Sequence, residues 1–252
     1  MATWFVNTDS IVRKIWGKAD TILFIFAGAS AEFALNPSVD WLYFTGRLPA
    51  DPLGRLFSTV GYSRQILFSR YDAALRSIDQ ITAIHKSVEA SRGMQIPANA
   101  YLDVLYMLID YSIRAYELLE RKLAETEKAE VFEVFYRVGK RMDLSGLPDN
   151  YSDWVVKREQ QLANSLRSGH LTHDLYRQYR KHLGMARYQL LKQAQLLLVP
   201  QRVKALLGLG KLRWLLPVLY VYKLFRLLRL QNLLKLAILP RAYSAQVMAM
   251  DI

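Results

Sequence analysis

The chain has no cysteine. Disulfides, thiolate-bound haem, iron–sulfur clusters, zinc–thiolate sites and cysteine nucleophiles are therefore excluded. It also lacks a G-x-S-x-G elbow, an H-E-x-x-H helix and a P-loop, so hydrolase, zinc-peptidase and nucleotide-phosphatase readings find no support. Acid is missing from one end. Residues 1–174 hold 20 Lys/Arg against 21 Asp/Glu, whereas residues 175–252 hold 14 against a single Asp251. The formal net charge of +12 thus belongs to the C-terminal third. A long apolar run is lacking there too. The longest uncharged stretch, Trp214 to Tyr222, is nine residues, against about twenty for a bilayer span. No alternating strand pattern, repeat or low-complexity stretch occurs.

What is present is helical patterning. The 252 residues, 52% of them hydrophobic, suffice for a large core. The expected fold is all-α: an irregular, globin-like bundle of about 8–10 helices. Asn36-Pro37 should end a first apolar helix, since Pro disfavours helical geometry in the residue before it. Within that helix Gly28, Ala29, Ser30 and Ala31 are small, so another helix or a flat cofactor could approach closely. The stretch Thr21 to Ala31 resembles a short signal core, but Asp9 and Asp20 sit where positive charge belongs, and we read it as a buried helix. Gly46 to Pro52 reads as a loop. Asp51 and Pro52 read as the cap and first turn of the next helix. Further helices are expected over 72–90, 101–123, 126–140, 151–168 and, capped by Thr172, to Leu198. Pro200, Pro217 and Pro240 should divide the remainder.

One side chain is chemically conspicuous. Ile78, Ile81, His85 and Val88 recur at spacings of three, four and three, so they share one helical face. That face should point inward. A buried imidazole needs a partner, because an unpaired buried polar group is costly. A backbone carbonyl and a metal both qualify. Arg55 and Thr59, four apart, share a face of their own helix. His170, His173 and His182 fall on a basic, polar stretch and read as surface residues.

The order of short segments adds to this. GASAEFALNP ends at Pro37. It is followed by Asp51-Pro52-Leu53-Gly54-Arg55-Leu56-Phe57-Ser58-Thr59, by the helix with His85, by Ile96-Pro97-Ala98-Asn99-Ala100-Tyr101-Leu102-Asp103, and by Tyr136 to Gly139 with Ser145-Gly146-Leu147-Pro148. Together these resemble the catalytic domain shared by latex-clearing rubber oxygenases and MpaB-type oxygenases, over about Ala27 to Gln161. The resemblance implies a haem b cofactor with His85 as its axial iron ligand. It puts Arg55, Ser58 and Thr59 beside the haem, with Arg55 and Thr59 as the candidate catalytic pair. Arg55 would pair with a propionate or with Asp51, and Thr59 with a propionate or the distal ligand. Ser58 stands where the rubber oxygenases carry a Lys that can close the distal iron position. The implied reaction is oxidative cleavage of a C=C bond by O₂ in a lipophilic, prenyl-type molecule.

On this reading residues 1–200 form a helical haem-binding oxygenase-like domain. Residues 201–252 form basic, Leu-rich helices that pack on the domain or on a membrane surface. Basic charge interleaved with Leu, Trp, Tyr and Phe fits an interfacial helix better than a nucleic-acid arm, and no nucleic-acid recognition motif is present. Membrane contact would run through residues 202–241 of an otherwise cytoplasmic protein. However, Lys223, Arg226, Arg229, Asn232 and Lys235 are spaced by threes, which drifts around an α-helix and does not make a clean polar stripe. A cofactor-free, non-enzymatic membrane-binding bundle is the competing expectation.

Overall fold

A computed structural model describes residues 3–227. Eleven α-helices lie within them: α1 (Ile11–Trp16), α2 (Ala19–Phe33), α3 (Arg47–Ala50), α4 (Pro52–Leu67), α5 (Tyr71–Arg92), α6 (Ala98–Leu119), α7 (Glu125–Arg141), α8 (Tyr151–Asn164), α9 (His170–Leu198), α10 (Gln201–Leu206) and α11 (Leu215–Leu227). A 3-10 segment, Pro37–Thr45, joins α2 to α3. The architecture is all-α. Among the described residues the only extended pairing is one bridge between Trp4 and Arg70. Arg229, Asn232, Lys235 and Pro240 lie outside the described residues.

Local chemistry explains most boundaries. The Asp51 carboxylate accepts from the Gly54 amide at 2.8 Å, and Pro52 fills the first position of α4. The Asn36 side chain accepts from the Ser38 amide at 3.0 Å and opens the 3-10 segment. Asn150 caps α8 by accepting from the Asp153 amide at 3.0 Å. Gly93, at φ 65°, ends α5 in the left-handed conformation glycine favours. Four expectations are corrected. The loop 46–52 contains the short α3. α8 ends at Asn164. Thr172 does not cap α9 from outside; it sits within the first turn and accepts from the Gly169 amide at 3.1 Å. Pro217 lies inside the first turn of α11, where a missing amide costs no helical bond. In addition, α9 is broken at Gly184, whose φ of 71° and ψ of 169° interrupt the helix.

The core forms around α2, which packs against α1, α6 and α9. Gly28 is where α2 and α6 come closest: a Cβ there would overlap the Tyr111 ring. The small-residue stretch thus serves a helix crossing. Beside it lies a buried ionic cluster. The Arg158 guanidinium of α8 donates to both oxygens of Glu32 on α2, at 2.5 and 2.6 Å, and to Asp110 on α6 at 2.8 Å. Arg114 donates to the other Asp110 oxygen at 2.6 Å, and the Tyr111 hydroxyl donates to Glu32 at 2.9 Å. Burial alone would raise the Asp110 pKa, but the charges of Arg158 and Arg114 outweigh it and hold the carboxyl below its usual range. α10 and α11 add Val203, Leu215 and Leu219 to the same core.

Removing the shared cation leaves the buried Glu32 without an ion-pair partner and Asp110 with Arg114 alone. The Arg158→Met variant should lose about 3–5 kcal/mol of stability, read as a lower urea midpoint by circular dichroism. A loss under 1 kcal/mol would show the cluster to be hydrated and weak.

Candidate functional site

Among the described residues an apolar cavity lies between the helices. Its walls come from the second half of α2 (Ala29, Ser30, Phe33), from α4 (Arg55, Ser58, Thr59, Tyr62, Ser63), from α5 (Ile81, Ile84, His85), from α6 (Tyr101, Val104, Leu108), from α7 (Phe135, Val138) and from Tyr179 of α9. The space between these walls, open mouth included, is about 1640 Å³. Most of the lining is apolar. All four residues singled out from the sequence, Arg55, Ser58, Thr59 and His85, line it. Thus α4 and α5, packed as an antiparallel pair, bring the Arg55/Thr59 face and the His85 face to one space.

The apolar face of α5 is graded. Ile78 is fully buried, while Ile81, His85 and Val88 are half-buried. The helix leaves the core after Ile78, so His85 borders the cavity and not the packed interior. Its Nδ1 is buried and has no hydrogen-bond partner. The imidazole lies against the Tyr101 ring, with centroids 5.1 Å apart at 59°. Burial lowers the His85 pKa, the nearby Arg55 charge lowers it further, and Glu89 acts against both. The resting imidazole is therefore neutral at pH 7, the form that ligates a metal.

The hydroxyls of Ser58 and Thr59 donate back to the Arg55 carbonyl, at 2.8 and 3.3 Å. Their oxygens keep acceptor capacity. Arg55 is solvent-exposed at the cavity edge, and its guanidinium charge reaches His85.

Two features escape sequence inspection. First, Glu89 fixes the far side of the site. One of its oxygens accepts from the Ile96 amide at 2.9 Å and from the Tyr101 hydroxyl at 3.2 Å. The i,i+4 spacing of His85 and Glu89 was the available signal. Second, His85 and Tyr101 also border a polar cleft lined by Asp79, Thr82, Lys86, Arg141, Asp143 and Ser145. The imidazole stands between an apolar cavity and a polar one. Behind the cavity, Asp103 on α6 accepts from Asn36 at 2.7 Å and from Ser38 at 2.9 Å, tying the 3-10 segment to α6. Gly139 lets α7 approach: a Cβ there would sit 2.9 Å from the methyls of Leu105 and Leu147. His170, His173 and His182 are exposed, away from the cavity.

Among the described residues, no group of three or more His, Asp or Glu converges. The site does not present the ligand shell a bare ion needs. A planar cofactor that carries its own ring of nitrogens needs one imidazole from the protein, and an orphaned ring nitrogen in an apolar wall fits that demand.

The fold and site are those of an all-α protein with one histidine in the wall of an apolar cavity. A family model described as "ER-bound oxygenase mpaB/B'/Rubber oxygenase, catalytic domain" matches residues 14–230, and the chain belongs to that family. It is thus a member of an oxygenase catalytic-domain family. No curated protein and no solved structure matches the chain.

The charges around His85 give signed expectations. In the cofactor-free protein its NMR titration midpoint should lie below the usual 6.5. Arg55→Ala should move it up and Glu89→Gln down. Because the folded protein binds this proton less readily than the unfolded chain, stability should fall as pH drops from 6.5 towards that midpoint, and His85→Gln should abolish this part of the slope. A midpoint above 6.5 would contradict the assignment of His85 to a desolvated wall.

Proposed function

We propose that the protein is a haem b-dependent oxygenase that uses O₂ on a lipophilic, prenyl-type substrate. The observation that carries the reading is His85 Nδ1, buried and without a partner in the cavity wall. Leaving a buried polar atom unpaired costs about 1–3 kcal/mol, a cost that a bound iron would remove. When bound, the haem supplies O₂ activation at its iron.

The chain's own residues do the rest. His85 would hold the iron through its imidazole. Tyr101, packed on the imidazole and fixed by Glu89, limits rotation of the ring. Arg55 binds a cofactor carboxylate by a charge-assisted hydrogen bond, and Thr59 offers a second polar contact. Ser58 presents a small hydroxyl to the cavity, where a longer side chain would take up space. Phe33, Ile81, Ile84, Val104 and Leu108 exclude water and take up an apolar chain. Family membership supports the oxygenase class, and the apolar lining supports a greasy substrate.

The test is spectroscopic. Purified protein supplied with haem should show a Soret band, and His85→Ala should weaken haem retention at least tenfold or shift the band. A preparation that stays colourless, or a band indifferent to His85→Ala, would overturn the assignment and leave a cofactor-free helical bundle.

A further inference from the structure

α11 has two apolar faces. The inner one is ordinary: Leu215 and Leu219 are 3% and 6% exposed and belong to the core. On the same side the Tyr222 hydroxyl donates to Asp20 of α2 at 3.0 Å. The outer face should be polar if the helix only met water. It is not. Trp214, Val218 and Val221, spaced four and three apart, form a second stripe that is 41%, 48% and 53% exposed. Leu212, in the turn before the helix, is 75% exposed, and Tyr220 is 67% exposed.

Cations frame this stripe. Lys211 and Arg213 are exposed beside Leu212 and Trp214, and Lys223 is half-exposed one turn beyond Tyr220. No acid occurs between Leu175 and Met250. Positive charge is crowded enough that Lys204, partly buried, is lowered in pKa first by burial and then by Arg213 and Arg114.

We propose that residues 211–223 dock the protein on an anionic lipid bilayer, with Leu212, Trp214, Val218 and Val221 entering the headgroup–acyl boundary and Lys211, Arg213 and Lys223 meeting lipid phosphates. The chemistry favours this occupant. Apolar side chains gain free energy at an acyl boundary, Trp and Tyr settle at headgroup depth, and Lys/Arg are attracted to anionic lipid. A nucleic acid would use the cations and gain nothing from Val218 and Val221. A second copy of the chain would bring the same uncompensated positive charge to the contact. Among the described residues no single helix is long and apolar enough to cross a membrane, and the stripe on α11 is short enough to lie in the interface. It is independent of haem and goes beyond the oxygenase reading.

The experiment is co-sedimentation of the full chain with vesicles. Vesicles of phosphatidylcholine containing phosphatidylserine should retain the protein, pure phosphatidylcholine should retain it roughly tenfold less well, and binding to the mixed vesicles should weaken as salt rises. The triple variant Trp214→Ser, Val218→Ser, Val221→Ser and the double variant Lys211→Glu, Arg213→Glu should each lose roughly tenfold in binding. Because the chain has no cysteine, a polarity-sensitive dye on a Val218→Cys variant gives a second measurement that does not depend on the triple variant folding. Its emission should shift to the blue with mixed vesicles, while the dye on a His173→Cys variant should not shift. Failure to bind mixed vesicles, unchanged binding by the folded triple variant, or binding to double-stranded DNA but not to vesicles would overturn the proposal. The Soret band is read on the same samples, so loss of vesicle binding with the band intact separates this failure from failure of the haem assignment.

Discussion

The planar guanidinium of Arg158 lies between two buried carboxylates, and three helices are positioned by what it can reach. It forks onto both oxygens of Glu32 while Nε and Nη2 donate to Asp110 and Nη1 also donates to Gln161. A lysine at 158 could not do this, since a point charge cannot satisfy a bidentate carboxylate and a second partner in one plane. Such clusters are seldom a net gain over apolar packing, because desolvating the charges costs about as much as their attraction returns. Their effect is on uniqueness. α2, α6 and α8 fit together in the one arrangement that neutralises every charge. The crossing at Gly28 and Tyr111 then sets how closely α2 and α6 approach. The faces those helices turn away from the cluster, Ala29, Ser30 and Phe33 on α2 and Tyr101, Val104 and Leu108 on α6, are walls of the cavity. The ionic cluster and the cavity thus share α2 and α6.

The imidazole of His85 breaks the usual satisfaction of buried polar atoms, and it does so between two unlike spaces. On one side the lining is apolar, which suits a substrate without hydrogen-bonding groups. On the other, Asp79, Lys86, Arg141 and Asp143 line a polar cleft in which Arg141 and Asp79 form a paired fork at 2.6 and 2.7 Å. Tyr101 belongs to both walls, and Glu89, which holds it, lines the cleft. A neutral histidine with one unengaged nitrogen is expensive to maintain in such a wall unless something binds there. Among the described residues Arg13, Trp41 and Trp154 also bury an unpartnered nitrogen, and Trp41 shares the cavity wall, but only the imidazole is a side chain that ligates iron.

Much of this was legible in the chain and some was not, and the division follows sequence separation. The Asp51-Pro52 helix start, the Asn36-Pro37 stop and the inward face of α5 depend on residues a few positions apart, so spacing alone carries them. The close approach at Gly28 was readable as a small-residue stretch, although not its partner Tyr111. The resemblance gathered Arg55, Thr59 and His85 from segments that spacing alone does not connect. What stayed hidden is long-range pairing: Glu32 with Arg158 across 126 residues, and the polar cleft formed where α5 meets the end of α7. The break at Gly184 was also missed, because a lone glycine inside a strongly helical stretch reads as a tolerated one. Tyr101 stands in the sequence only as part of the segment Ile96 to Asp103. Its contact with His85 depends on how α5 and α6 cross, which no local pattern encodes.

The outer stripe of α11 and the cavity are joined through one helix. In α9, Gln193 donates to the Leu212 carbonyl at 3.0 Å and so anchors the turn that leads into α11. Two residues on, Gln195 donates to the Ser30 hydroxyl at 3.1 Å, and Ser30 lines the cavity. Tyr179, on the other side of the Gly184 break, donates to the Ser30 carbonyl at 3.3 Å and itself forms part of the cavity wall. The two bonds to Ser30 are buried and resist rearrangement, because each group released would be left unpaired, whereas the Gln193 contact is exposed. α9 thus touches both the cavity wall and the turn that carries the stripe. For a substrate that dissolves in lipid, α9 would join the stripe that meets the bilayer to the wall that meets the substrate, with the break at Gly184 lying between Tyr179 and the two glutamines.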